Sequence, residues 1–136
     1  MLAQNFKTCK DLRIPADEHG ALIKILGLLE REELEWIDFR EPIYPKGNFF
    51  NMSTVERTNE CGSVACIGGW VQILLHKRVG GVRGLIERCR TRDLQDLYFP
   101  PGREDKFNLI TAYDAAAALR NYLTLGEPRW DDVLTW

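Results

Sequence analysis

A chain of 136 residues with 45% hydrophobic and 28% charged side chains has the make-up of one globular domain spanning residues 1 to 136, large enough to bury about two-thirds of its unfolded surface. Its apolar runs break well short of the roughly 18 residues of a membrane span, and residues 1 to 14 lack the basic-then-apolar layout of a secretory signal, so a cytoplasmic protein is expected. The net charge of -2 hides a segregation: -5 over residues 17 to 41 (eight acidic, three basic) and +5 over residues 77 to 92 (six basic, one acidic).

Pro15 and the following ADEHGALIKILGLLEREELEW predict the first long helix, because Asp17 and Glu18 suit its positive end and Leu22, Ile25, Leu26 and Leu29 fall at i, i+3, i+4 and i+7. From Phe39 to Asn59 the prolines, glycine and asparagines break this pattern, and a loop or short β-ribbon near residues 42 to 55 is expected. A second helix should run from about Cys61–Ser63 to Arg78, apolar over most of its circumference and therefore central. A third is expected from Val82 to about Arg92, with Val82, Leu85, Ile86 and Cys89 on its inner stripe and Arg83 paired with Glu87 outside. DLQDLYF makes a short helix stopped by Pro100 and Pro101, and a loop continues to Asn108. Thr111 and Asp114 form an approximate capping box for the last helix, which Gly126 ends, and Trp130, Val133, Leu134 and Trp136 should fold back as an apolar tail. The expected architecture is a mainly α, single-domain bundle of four to five helices around a central buried helix.

NECGSVACIGGW, residues 59 to 70, concentrates the features that invite chemistry. A thiol at a helix start has its thiolate favoured by the helix dipole, which makes Cys61 the candidate nucleophile. Its base would have to be His19 or His76. On one continuous helix His76 lies about 22 Å from Cys61 at 1.5 Å per residue, too far for proton transfer, and Glu60 opposes the thiolate. As metal ligands Cys61 and Cys66 are separated by more than the usual zinc spacing, and a five-residue helical step of about 500° turns them apart. The expectation is therefore no catalytic residue, metal or cofactor, with four reduced thiols (Cys9, Cys61, Cys66, Cys89) packed as small core residues.

CGSVACIGGW preceded by FNMST, with LYFPP and the closing ITAYDAAAALRNYLTLGEPRWDDV, resembles a group of small uncharacterised proteins of bacteria and their phages that share a Cys-Gly-Ser/Thr-x-x-Cys-Ile/Leu-Ala/Gly-Gly core. The resemblance covers roughly residues 49 to 134. It implies a fold and a context, and no activity.

Two adjacent glycines in a helix cost about 2 kcal/mol relative to alanines. A close neighbour should compensate, and the smooth face of Ala115, Ala116 and Ala118 on the last helix is the expected one. Arg83, Arg88, Arg90 and Arg92 are suited to phosphate contacts, so nucleic-acid binding through residues 77 to 92 is an alternative function, although no recognition motif accompanies them. Trp36 and Trp130 are of the type that anchors protein interfaces or closes a core. The function expected first is an accessory protein acting by protein–protein interaction, with a protein partner or a second copy of itself. A cysteine-dependent enzyme or metal site centred on Cys61 is the other alternative.

Overall fold

The computed structural model describes residues 5–37, 48–53, 57–59, 62–77 and 81–135. The chain enters through α1 (Cys9–Leu12), a single turn made stable by a complete capping box in which Thr8 and Asp11 each bond the other's backbone N–H. Helix α2 (Ala16–Glu30) follows, with Pro15 in the N-cap position as its fixed φ favours. Leu22, Ile25, Leu26 and Leu29 of the expected stripe are all buried.

That helix stops earlier than expected. Glu32 turns to φ 59° and Leu34 drops into the core, so the acidic residues after Glu30, namely Glu32, Glu33 and Glu35, leave the helix instead of extending it. Carboxylates at the negative end of a helix oppose its dipole, and the chain turns into strand β1 (Glu35–Trp36).

The ribbon is a small four-stranded sheet in the order β1-β2-β4-β3, in which β2 (Phe49–Phe50) is parallel to both β1 and β4 (Gly62–Ala65), and β3 (Arg57–Asn59) is antiparallel to β4. Residues 42 to 47 of the expected ribbon lie outside the described residues. The sheet corrects the start of the central helix, because Gly62 to Ala65 are extended: Gly and Ser are poor helix formers, β-branched Val64 suits a strand, and β2 supplies a pairing edge. Helix α3 (Ile67–Leu74) begins only after Cys66, whose Sγ accepts from Gly69 N at 3.4 Å, and its residues 67 to 72 are all buried. It remains the central helix, about two to three turns shorter at its two ends together than its sequence suggested.

Beyond it, α4 (Gly81–Arg88) is also short, because Thr91 caps a separate α5 (Arg92–Tyr98). Only Leu85 of the α4 stripe is fully buried, while Val82 and Ile86 are exposed, and no Arg83–Glu87 ion pair occurs among the described residues. The segment expected as loop before Asn108 contains a 3₁₀ helix (Glu104–Leu109). Helix α6 (Ala112–Leu125) has the full Thr111–Asp114 capping box and ends at Gly126 with φ 89°, as its sequence requires. The tail forms α7 (Trp130–Val133), which buries Trp130 and Leu134; Trp136 lies outside the described residues.

Helix α2 packs between α6 and α3, and α5 leans on both of the latter. Helix α6 thus packs chiefly against α2, and Gly68 of α3 meets other neighbours than its alanines: a Cβ there would lie 2.6 Å from Leu85 Cδ2 and 2.9 Å from the Tyr98 ring. Three indoles tie distant segments by donating to main-chain carbonyls: Trp36 to Asn108 at 3.0 Å, Trp70 to Phe49 at 2.9 Å and Trp130 to Asp96 at 2.8 Å. No helix among the described residues is long and apolar enough to cross a membrane.

One carboxyl is buried in this packing. Glu18 accepts from the Tyr98 hydroxyl at 2.6 Å, and burial raises its pKa above the ordinary value despite that bond and the nearby Lys77. Ionising it is harder in the folded than in the unfolded chain. Its contribution to stability is thus greatest below the unfolded value of about 4.3 and is lost as pH rises through the folded value. Glu18→Gln retains an acceptor for Tyr98 without the charge, so the melting temperature of the variant relative to the parent should climb as pH rises from about 4 to 7. A pH-independent difference would show that Glu18 does not titrate in this range.

Candidate functional site

A groove of about 730 Å³ opens between the end of α2, β1 and the first half of α6. Leu29 and Leu34 form its floor, Trp36 one wall, and Ala112, Tyr113 and Ala116 the other. The capping box starts α6 at this edge, and the small alanine side chains leave the space into which a partner side chain can insert. The Trp36 ring is held half-buried by its bond to Asn108 O, so that wall is preorganised. Tyr113 stands 84% exposed at the opposite rim, far beyond what an aromatic residue needs in order to pack.

The rim is acidic. Glu30 is neutralised by Arg120, whose Nε and Nη2 reach its two oxygens at 2.9 and 2.7 Å. Glu32 and Glu35 also line the groove and form no ion pair among the described residues. Their negative charge lies near the positive end of α6 and so gains from its dipole. The groove thus combines an apolar slot, an aromatic wall, an aromatic rim and two carboxylates without an ion pair among the described residues.

The residues marked by the sequence fall elsewhere, with one exception. Trp36 is a wall of the groove. Trp130 is 3% exposed and belongs to the core. Cys61 lies outside the described residues; because Gly62 begins a strand, the distance along a continuous helix no longer separates it from His76. Cys66 is buried, and burial pushes its thiol up to about 11, so it is held neutral and unreactive at physiological pH. Cys89 is pushed up to about 12 for the same reason. No three His, Cys, Asp or Glu side chains are placed to hold a metal ion among the described residues.

The basic segment divides. Arg88 donates to Gln72 Oε1 at 2.7 Å and Arg92 bonds Asp96 at 3.1 Å, whereas Arg83 and Arg90 are exposed and make no ion pair among the described residues. Two of the four thus have partners within the protein and two do not.

Tyr113 was legible in principle. The inward stripe of α6 runs Ala115, Ala118, Leu119, Tyr122 and Leu123, and Tyr113 lies off it, so an aromatic side chain on the outer face was the available signal. The groove as a whole had none, because Trp36 and Tyr113 are far apart in the chain. No protein-family model, curated protein or solved structure matches the sequence, so its function has to be argued from this geometry.

Proposed function

We propose that the protein is an accessory factor of the bacterial or phage-infected cell, acting in the cytoplasm by binding another protein through the groove between α2, β1 and α6. The occupant is a positively charged segment that presents an aliphatic or aromatic side chain. The observation that carries this reading is Tyr113, 84% exposed above an apolar slot. Burying an aromatic rim of this kind is what anchors protein interfaces, and Glu32 and Glu35 select the sign of the partner's charge.

The test uses two fluorescent model peptides, one of leucine and lysine and one of leucine and glutamate. The lysine peptide should bind, more weakly at high salt, and Tyr113→Ala should weaken it at least about fivefold, the effect of an interface residue contributing about 1 kcal/mol. Glu35→Gln should flatten the salt dependence. Equal binding of both peptides, or binding indifferent to Tyr113, overturns the assignment. Self-association lost in Tyr113→Ala would identify the occupant as a second copy of the chain.

A further inference from the structure

The groove between α2, β1 and α6 suits a cationic segment with an aliphatic side chain, and the protein carries such a segment itself. The apolar stripe of α4 is only half covered by the protein's own core. Leu85 fills the space over Gly68 and Cys89 is half-buried, whereas Val82 and Ile86 are 53% and 37% exposed. These two stand four residues apart, so their side chains project side by side, one turn above the other.

Charge accompanies them. Arg83 is exposed next to Val82 and forms no ion pair among the described residues. Residues 77 to 92 carry six basic side chains against one acidic, Glu87. The groove is the complement of this surface: an apolar floor of Leu29 and Leu34, the Trp36 wall, and Glu32 and Glu35 without an ion pair among the described residues. Its one cation, Arg120, is there for Glu87 to face. Helix α4 cannot fill the groove of its own chain. It packs on α3 through Leu85 against Gly68 and through Arg88, which donates to Gln72, while the groove lies along α2 and α6 and no α4 residue lines it.

From this half-covered stripe and the matching charges, we infer that a second copy of the chain occupies the groove when no other partner does. Its α4 lies in the slot with Val82 and Ile86 over Leu29, Leu34 and Trp36, and with Arg83 toward Glu32 and Glu35. Anchors at i and i+4 are how an amphipathic helix reads an apolar groove, and opposite charges at the rim fix its sign and register. The inference rests on the reading of this groove as a protein-binding site and adds a regulation to it, since a partner must displace the second copy. The contact is heterologous, because each copy offers one α4 and one groove.

The experiment is sedimentation of the whole chain at concentrations up to about 1 mM, since an interface this small is weak. The average mass should rise with concentration, fall with added salt, and fall when the lysine peptide is added. Val82→Ser/Ile86→Ser, two changes at exposed positions, should weaken association about fivefold or more, as should Tyr113→Ala. Arg83→Glu and Glu35→Arg should each weaken it alone, while a mixture of the two variants associates, because one supplies the reversed helix and the other the reversed groove. A chain that binds the lysine peptide yet stays monomeric at every concentration overturns the inference and leaves the groove reading standing; absence of both overturns both. Association that survives Val82→Ser/Ile86→Ser or Tyr113→Ala, or a charge-reversed mixture that stays apart, also overturns it.

Discussion

Asn51→Leu should destabilise the protein by roughly 3 to 4 kcal/mol, although leucine has the same branched arrangement of heavy atoms as asparagine. Asn51 is fully buried and every polar atom of its side chain is used. Its Nδ2 donates to Ile37 O at 2.8 Å and Asn108 Oδ1 at 2.7 Å, while its Oδ1 accepts from both the backbone and the hydroxyl of Ser53. These bonds fasten the exit of β1 and the 3₁₀ helix to the end of β2, and they set the position of Asn108, whose carbonyl in turn holds Trp36. Removing the amide leaves the carbonyl of buried Ile37 without a donor, at about 1 to 3 kcal/mol, and the three other lost bonds add about 1 kcal/mol each where water can replace them, offset by about 1 to 2 kcal/mol from burying the apolar leucine.

Asn51→Asp sharpens the test. A carboxylate at this position faces Ile37 O without a proton to give it, so burial and that carbonyl both raise its pKa in the folded state. The variant should then be least stable near neutral pH and recover as pH falls toward the unfolded value of about 3.9. Urea titration at two pH values reads both effects. A variant as stable as the parent at neutral pH would mean that water reaches this amide. Because Trp36 is a wall of the groove, loss of Asn51 should also weaken lysine-peptide binding.

The asparagine shows where sequence reasoning stops. Asn51 signals a turn, and its Oδ1 does accept from Ser53 N two residues on. Nothing local says that its amide reaches Ile37 and Asn108, because those partners are set by tertiary structure. The long helices were legible for the opposite reason. The stripes of α2 and α6 repeat over several turns, and the Thr111 and Gly126 boundaries are written in single residues. Where an element is two to four residues long, as in β1 and β2, no period can develop, and the strands become visible only when parallel partners are brought together.

Charge was legible as a pattern and not as a site. The acidic and basic stretches seen along the chain come to opposite ends of α6: Glu32 and Glu35 at the groove, Arg90 and Arg92 at a cleft between α1 and the start of α5. Arg88 and Arg92 look equivalent to Arg90 in sequence, yet each is committed to an internal partner. Only the fold distinguishes a spent charge from an available one.

The glycine pair of IGGW leads to the second large effect. Gly68→Ala should cost about 1 to 3 kcal/mol, even though alanine at a helical position gains about 1 kcal/mol of intrinsic propensity. The added methyl would meet Leu85 Cδ2 at 2.6 Å and Tyr98 Cδ2 and Cγ at 2.9 Å. Leu85 is fully buried, so its end has little space to swing into, and the Tyr98 ring is tethered through its hydroxyl to Glu18. Retreat of the ring would lengthen that bond and leave a buried carboxyl exposed to an apolar neighbour. Gly20→Ala is the internal control, since nothing lies within 4 Å of its added Cβ and it sits in α2; it should stabilise by about 0.5 to 1 kcal/mol. Leu85→Ala is destabilising alone through the cavity it leaves, but combined with Gly68→Ala it should restore part of the loss, and a double-mutant cycle measures that coupling. Additive effects, or a Gly68→Ala as stabilising as Gly20→Ala, would show that the neighbours of Gly68 yield without cost and that close packing is not why glycine stands there.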